Sequence, residues 1–180
     1  MQFNKFEIRP LAAGDLNEYF RLVETNRKRL ENFFVGTTSR TKTIEETEVF
    51  LSEIIKKAEN KIYFPFIIVD TENKSFAGFI DVKNIDWNIP KAEIGFYIDK
   101  NYENKGITKK AISILTDYCF GHYQFKKIFL RTHQSNIAAQ KVAEHGGFEL
   151  EGTIRRDYKT TAGELVDLLY YGRLSDQDPR

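Results

Sequence analysis

The chain has 180 residues, 41% of them hydrophobic and 29% charged, with a formal net charge of +1. That length suffices for one substantial core, and the balance is that of a globular protein rather than a disordered or fibrous one. The near-neutral charge excludes a strong field for nucleic acid or an anionic membrane, no apolar run approaches a membrane span, and a single cysteine excludes an intrachain disulfide or a cysteine-rich metal site.

In chain order, Met1–Arg9 lacks the apolar stretch of a signal peptide, so a cytoplasmic location is expected. Phe6–Leu11 alternates and holds Pro10, which predicts a short edge strand. Asp15 is placed to cap a helix with Leu16, Tyr19, Phe20 and Val23 at helical spacing, and the helical signal runs on to Phe34. Its basic cluster, Arg27-Lys28-Arg29, is expected to be a solvated face. Gly36–Lys42 is polar and turn-like. Thr43-Ile44-Glu45-Glu46 spells a capping box, with Glu46 reaching back, and opens a helix that carries Phe50, Ile54 and Ala58 in line. Ile62–Asp70 and Ser75–Ile85 read as antiparallel partners, with Gly78 marking a bulge or a close backbone approach.

Trp87–Lys91 predicts a loop, Ala92–Asp99 a strand, and Ile107–Tyr123 a helix that buries Ala111, Ile112, Leu115 and Cys119. Lys126–His133 is a strand, and Asn136–His145 a short helix ended by Gly146-Gly147. Phe148–Lys159 and Glu164–Leu174 form a hairpin across Thr160–Gly163. Residues 1–174 are expected to be one domain, followed by a polar, frayed tail at Ser175–Arg180.

The chemistry concentrates at Asn101–Ala111, N-Y-E-N-K-G-I-T-K-K-A. A strand that turns through a polar loop into a helix aims several backbone N–H groups at one point, and the helix dipole favours an anion there. Gly106 stands at the mouth, where a side chain would obstruct a phosphate, and Asn104 tolerates a left-handed backbone. Lys105, Lys109 and Lys110 add positive charge. The three-glycine dinucleotide fingerprint and the Walker loop are both absent, which counts against a nucleotide-binding regulatory domain. An ordinary basic helix entry is the alternative.

Glu103-Asn104-Lys105-Gly106-Ile107-Thr108 resembles the acetyl-CoA loop of the GNAT N-acetyltransferases, Q/R-x-x-G-x-G/A, with the central glycine matched and the first and last positions different. His133–Phe148, H-Q-S-N-I-A-A-Q-K-V-A-E-H-G-G-F, resembles the family's strand end, asparagine, short helix and G-F. A-E-I-G-F-Y-I-D before the loop, then F-E-L-E-G-T-I-R and V-D-L-L-Y-Y-G-R-L, are similar to the RimJ/RimL branch, which acetylates protein N-termini, including ribosomal ones. The resemblance implies an α+β fold: a central mixed, mostly antiparallel sheet of about seven strands with helices on both faces.

It also implies an acetyl-CoA co-substrate, no metal, and direct transfer to a primary amine. The strand before the loop would splay from its parallel neighbour and offer backbone groups of Phe96, Tyr97 and Ile98 to the pantetheine arm. A backbone N–H there would polarise the thioester carbonyl. The amides of Asn104, Lys105, Gly106, Ile107, Thr108 and Lys109 would hold the pyrophosphate, with the Glu103 carboxylate close by. Asn136 matches the family's cofactor asparagine and is also placed as a helix N-cap. The serine three residues later in many RimL-type members is Ala139, and this helix lacks the tyrosine that protonates the leaving thiolate in many other members. Glu93 is the first candidate base, with pairing across the sheet as its structural alternative. Tyr158, beside Asp157, stands where RimL-type enzymes carry a candidate glutamate. His133, His145 and a water relay are further candidates. The expected acceptor is a protein or peptide N-terminus. A polyamine, amino acid or aminated antibiotic is the alternative, and a non-catalytic acyl-CoA-binding module the rival of another class. Neither nucleic acid nor membrane is expected as a partner, and a homodimer is left open.

Overall fold

A computed structural model describes residues 1–175. The expected tail at Ser175–Arg180 lies outside the described residues apart from Ser175, which is buried and donates its N–H to Lys126 O at 3.0 Å. The strands are β1 (Gln2–Phe3), β2 (Phe6–Pro10), β3 (Phe64–Asp70), β4 (Phe76–Asp86), β5 (Lys91–Ile98), β6 (Lys127–His133), β7 (Glu149–Lys159) and β8 (Leu165–Leu174). They form one sheet of 8 strands in the order β1-β2-β3-β4-β5-β6-β8-β7. Every pairing is antiparallel except that of β5 with β6.

The helices are α1 (Leu16–Leu30), α2 (Val35–Thr38), α3 (Ile44–Glu59), α4 (Ile107–Tyr123) and α5 (Ile137–His145). Alternation along each strand divides the core into two layers. Tyr19, Leu22 and Val23 of α1 and Phe50, Leu51 and Ile54 of α3 pack on Ile67, Val69, Phe79 and Tyr97. Ile112, Leu115 and Cys119 of α4 and Ala143 of α5 pack on the opposite face with Ile68, Ile80, Ile94 and Ile128. This is the α+β sheet with helices on both faces that the resemblance implies, with β1 as the additional strand. No helix among the described residues is long and apolar enough to cross a membrane.

Several local expectations are corrected. α1 stops at Leu30, whose carbonyl accepts from the N–H groups of both Phe33 and Phe34. The chain turns there because Phe34 packs edge-to-face on Tyr97, with ring centroids 5.1 Å apart. Within the expected polar turn, Val35–Thr38 makes one turn of helix. Arg27 belongs to the structure rather than to a solvated face: it donates to Thr38 O at 2.9 Å and to Thr41 O, which closes the α2 segment onto α1. Asp15 does not cap α1 with its side chain; its carboxylate takes Arg9 and the Ala12 N–H, each at 2.8 Å. At α3, Thr43 Oγ1 accepts from Glu46 N at 3.3 Å, whereas Glu46 reaches one residue further back, to Lys42 N at 2.9 Å.

At Gly78 both expected features occur. The β3–β4 register shifts beside it, between Ile68 and Val69. A Cβ on Gly78 would lie 2.7 Å from Tyr97 O, so only glycine lets β4 come this close to β5.

Candidate active site

β5 and β6 pair only at Lys91↔Lys127, Ala92↔Ile128 and Glu93↔Phe129. Beyond Glu93 each strand follows its antiparallel neighbour, β5 with β4 to Ile98 and β6 with β8 to His133. The two parallel strands therefore part, and a cavity of about 860 Å³ opens between them. Its walls are the divergent halves of β5 and β6, the C-terminal end of α1, the start of α5 and the β7–β8 turn.

The backbone direction inside this gap follows from one hydrogen bond. Asp99 N donates to Ala77 O at 2.7 Å, in register with the β4–β5 ladder. Pairs alternate in an antiparallel ladder, so Gly95 and Tyr97 bond to β4, while Ile94, Phe96 and Ile98 turn their N–H and C=O groups into the gap. Of the three residues expected to offer backbone groups there, Phe96 and Ile98 do so. Tyr97 instead turns its carbonyl to its partner Phe79 in β4, alongside Gly78, and it meets the cavity through its side chain.

The loop before α4 takes the conformation that its residue types suggest. Asn104 has φ 58° and Gly106 φ 71°, both left-handed. A Cβ on Gly106 would meet nothing within 4 Å, so the space outside it is open. The first intrahelical bond is Lys110 N to Gly106 O at 3.1 Å, which leaves the N–H groups of Ile107, Thr108 and Lys109 without helical acceptors. Three free amides at a helix entry with open space outside them suit a phosphate group.

Buried polar groups hold this loop. Asp99 accepts from Asn101 N at 2.8 Å and from Asn26 Nδ2 at 3.1 Å, and Asn26 Oδ1 accepts from Lys100 N at 3.0 Å. Asn26 and Asp99 are each 1% exposed, so every one of these bonds matters to the burial of the pair. Sequence reasoning missed both residues. The available signal was that Asn26 continues the buried stripe Tyr19, Leu22, Val23 at the next helical turn.

The loop lysines do not bring their charge into the cavity. Lys105 folds back to Asn101 O at 2.7 Å and over the Tyr102 ring, and neither Lys105 nor Lys109 nor Lys110 lines the cavity. Arg29 lines it instead, ion-paired to Glu103.

Glu93 is 5% exposed and stands on the cavity floor. Its Oε2 accepts from Asn84 Nδ2 at 2.6 Å and from Arg131 at 2.7 Å, so the cross-sheet pairing is real. Neither bond uses Oε1. Arg131 also donates to Asp157 at 2.5 Å. Burial works against the Arg131 charge, and the two carboxylates more than offset it, so its pKa is raised. Lys83 behaves alike: burial pulls its pKa down, and Asp81 and then Glu93 raise it above the ordinary lysine value. Gly95 gives Lys83 room, since a Cβ there would lie 2.6 Å from Nζ. Arg131 was not foreseen; a cation inside an otherwise apolar strand was the signal.

A bulge in β7 between Ile154 and Tyr158 turns Asp157 toward Arg131 and Tyr158 toward the cavity. The Tyr158 hydroxyl accepts from Val35 N at 3.4 Å. His133 lines the cavity with Nδ1 2.7 Å from Ser135 Oγ, whereas His145 pairs with Lys141 O and does not line it. Asn136 caps α5, its Oδ1 accepting from Ala139 N at 3.1 Å, and both residues line the cavity. Cys119 is buried, and burial pushes its thiol up to about 12, so it is no nucleophile. Among the described residues no cluster of histidine, cysteine or carboxylate side chains is arranged to hold a metal.

Comparison with known proteins agrees with this geometry. Residues 5–149 match the family described as acetyltransferase (GNAT) domain, and the chain belongs to that family, whose members transfer acetyl from acetyl-CoA. A Bacillus subtilis protein named "Putative ribosomal N-acetyltransferase YdaF" is 35% identical, covering 93% of this chain and 90% of its own. A Vibrio cholerae spermidine N(1)-acetyltransferase is 24% identical over 86% of this chain and 85% of its own. The crystal structure of a ribosomal-protein-S5-alanine acetyltransferase from Vibrio fischeri superposes with a TM-score of 0.90 at 20% identity, covering 99% of this chain and 98% of that one.

Proposed function

We propose that this GNAT acetyltransferase delivers acetyl from acetyl-CoA to the α-amine of a protein or peptide N-terminus, by direct attack with both substrates bound. The observation that carries the choice of acceptor is the charge of the cavity. Glu93 is bound to Arg131 and Glu103 to Arg29, so the two carboxylates nearest the chemistry already have cations. Counted over its lining, the cavity has three carboxylates, Glu93, Glu103 and Glu164, against three cations, Arg29, Lys83 and Arg131. A polyamine needs an acidic excess, and this cavity has none. The Bacillus subtilis relative, named as a "putative ribosomal N-acetyltransferase", supports the same acceptor class. The spermidine-acetylating relative favours a small amine as the second reading.

The fit to acetyl-CoA rests on the open space outside Gly106, the free amides of Ile107–Lys109, and the backbone groups of Phe96 and Ile98 in the gap. The thioester supplies the activated acetyl group. In this chain, the N–H groups of Phe96 and Ile98 are the donors available to polarise its carbonyl. The acceptor must be neutral to attack, and an α-amine with a pKa near 8 is partly neutral at physiological pH. Glu93 is the residue to take its proton, with Oε2 anchored by Asn84 and Arg131 and Oε1 left for the cavity. The departing thiolate, with a pKa of about 8.5, leaves without a protein acid, which accommodates Ala139 and an α5 free of tyrosine. The test is thiol release from acetyl-CoA against a panel of N-terminal peptides, amino acids and polyamines, with the acetylated atom located by mass spectrometry. Turnover confined to polyamines would overturn the proposed acceptor.

A further inference from the structure

We propose that Arg29 is the cation that meets the phosphates of acetyl-CoA in this chain, held beforehand by Asn26 and Glu103. The inference rests on the cofactor placement above and concerns which residue completes it.

The phosphate loop begins at Glu103, a carboxylate close to where an anion must sit, and its own lysines point elsewhere. Lys105 is spent on Asn101 O and the Tyr102 ring, and neither Lys109 nor Lys110 lines the cavity. The cavity has three Lys or Arg side chains. Two of them, Lys83 and Arg131, are bound to carboxylates on the floor of the acceptor side. The third, Arg29, comes from the last turn of α1 and contacts Glu103 itself. One guanidinium nitrogen is fixed on Asn26 Oδ1 at 2.8 Å, and Asn26 is the residue that ties α1 to Lys100 at the base of the loop. The cation and the amide cradle thus share one support.

The pair is poised rather than closed. Arg29 is 43% exposed and Glu103 39%, and an ion pair that wet contributes little. A guanidinium has five donors in a plane, so it can keep Asn26 and still offer an edge to a phosphate. When a doubly charged pyrophosphate competes with one exposed carboxylate, the phosphate wins the shared donors. Until the ligand arrives, Glu103 acts as a placeholder that keeps Arg29 extended over the loop, and the two together carry no net charge.

The experiment measures, by calorimetry, the affinities of acetyl-CoA and of S-acetylpantetheine, which shares the thioester arm but has no phosphate. The comparison is between the unmodified protein and Arg29→Met, with thermal melting as the folding control. Arg29→Met should weaken acetyl-CoA binding by roughly tenfold, in the range of a partly exposed charge-assisted contact. It should leave S-acetylpantetheine unchanged, and the difference should shrink as salt is raised. Glu103→Gln should bind acetyl-CoA as tightly as the unmodified protein or more tightly. Equal losses for both thioesters would mean that Arg29 acts on the thioester arm or the fold rather than on the phosphates, a loss confined to acetyl-CoA but insensitive to salt would mean that it only props the loop, and an unchanged acetyl-CoA affinity with a raised acceptor KM would assign it to the acceptor; each overturns the proposal. Failure of the unmodified protein to bind acetyl-CoA at all would overturn the cofactor placement itself, a separate and recognisable outcome.

Discussion

Glu93→Gln isolates the proposed base from the structural role that the same residue plays. The two bonds to Glu93 fall on one oxygen, Oε2, from Asn84 and Arg131. A glutamine can place its carbonyl oxygen there and keep both, which directs its amide nitrogen to the position of Oε1. Arg131 retains its second carboxylate, Asp157, at 2.5 Å. The substitution therefore removes the acceptor's charge from both bonds while Arg131 keeps its own, a cost of about 1 kcal/mol, and creates no cavity. Against that modest loss of stability, turnover should fall by roughly 10²–10⁴ if Glu93 takes the acceptor proton. Acetyl-CoA affinity should hold if, as proposed, β5 meets that ligand through backbone groups. The decisive assay is thiol release followed across pH. The deficit should narrow above about pH 8, where the α-amine is increasingly neutral without help. A near-normal rate at neutral pH, or a deficit that stays constant with pH, would refute the role and leave Glu93 as the anchor of Arg131 alone.

Three further outcomes follow from the same structure. Gly106→Glu should abolish acetyl-CoA binding in calorimetry, since it forces a carboxylate into a left-handed position beside three free amides. Thr43→Ala should lower stability in denaturant melts by about 0.5–1 kcal/mol, at the low end for a cap because its bond to Glu46 N is 3.3 Å long, and should leave cofactor affinity unchanged since α3 does not line the cavity. Asp15 lies below its ordinary value of 3.8: burial raises it, and Arg9 and the Ala12 N–H more than offset the rise. A depressed folded value means that this contribution is complete above pH 3.8 and is lost as pH falls through the lower, folded value. Acid melts of Asp15→Asn should show a shallower decline below that pH than the unmodified chain, worth at most about 1 kcal/mol because Arg9 is 34% exposed and screened.

Elements built from a local repeat were legible in the residues. α3 and α4 carry apolar side chains at helical spacing, and β3 to β6 carry period-2 or continuous apolar runs. The misses are places where a distant contact decides. Phe33 and Phe34 prolong the helical pattern of α1, but Phe34 is needed on Tyr97, and the helix ends to allow it. The α2 turn depends on Arg27 reaching two carbonyls that lie 11 and 14 residues away. β1 has two residues, too few to show an alternation, and exists because Phe3 packs on Phe6.

The site divides along the same line. Its backbone half was legible because it rests on neighbouring residues: Gly106 and Asn104 take the left-handed conformations their types favour, and the helix behind them leaves its first amides free. Its charged half was not, because each pair joins residues remote in sequence: Arg29 with Glu103, 74 residues apart, and Arg131 with Glu93, 38 apart. Those pairs reverse the meaning of the residues they contain. Glu103, alone at the head of the proposed phosphate loop, would repel the ligand; with Arg29 upon it, the same residue holds a cation in place. Glu93, alone on a strand, is an open carboxylate; with Arg131 and Asn84 on one oxygen, it is fixed in direction and only the other remains for the proposed proton transfer. Asn26 links the two halves, since its side chain bonds the loop backbone at Lys100 and Arg29 together. The end of α1, which walls the acceptor side, and the loop that would receive the phosphates are therefore one rigid piece, and a substitution at Asn26 should disturb both substrates where one at Arg29 disturbs a single one.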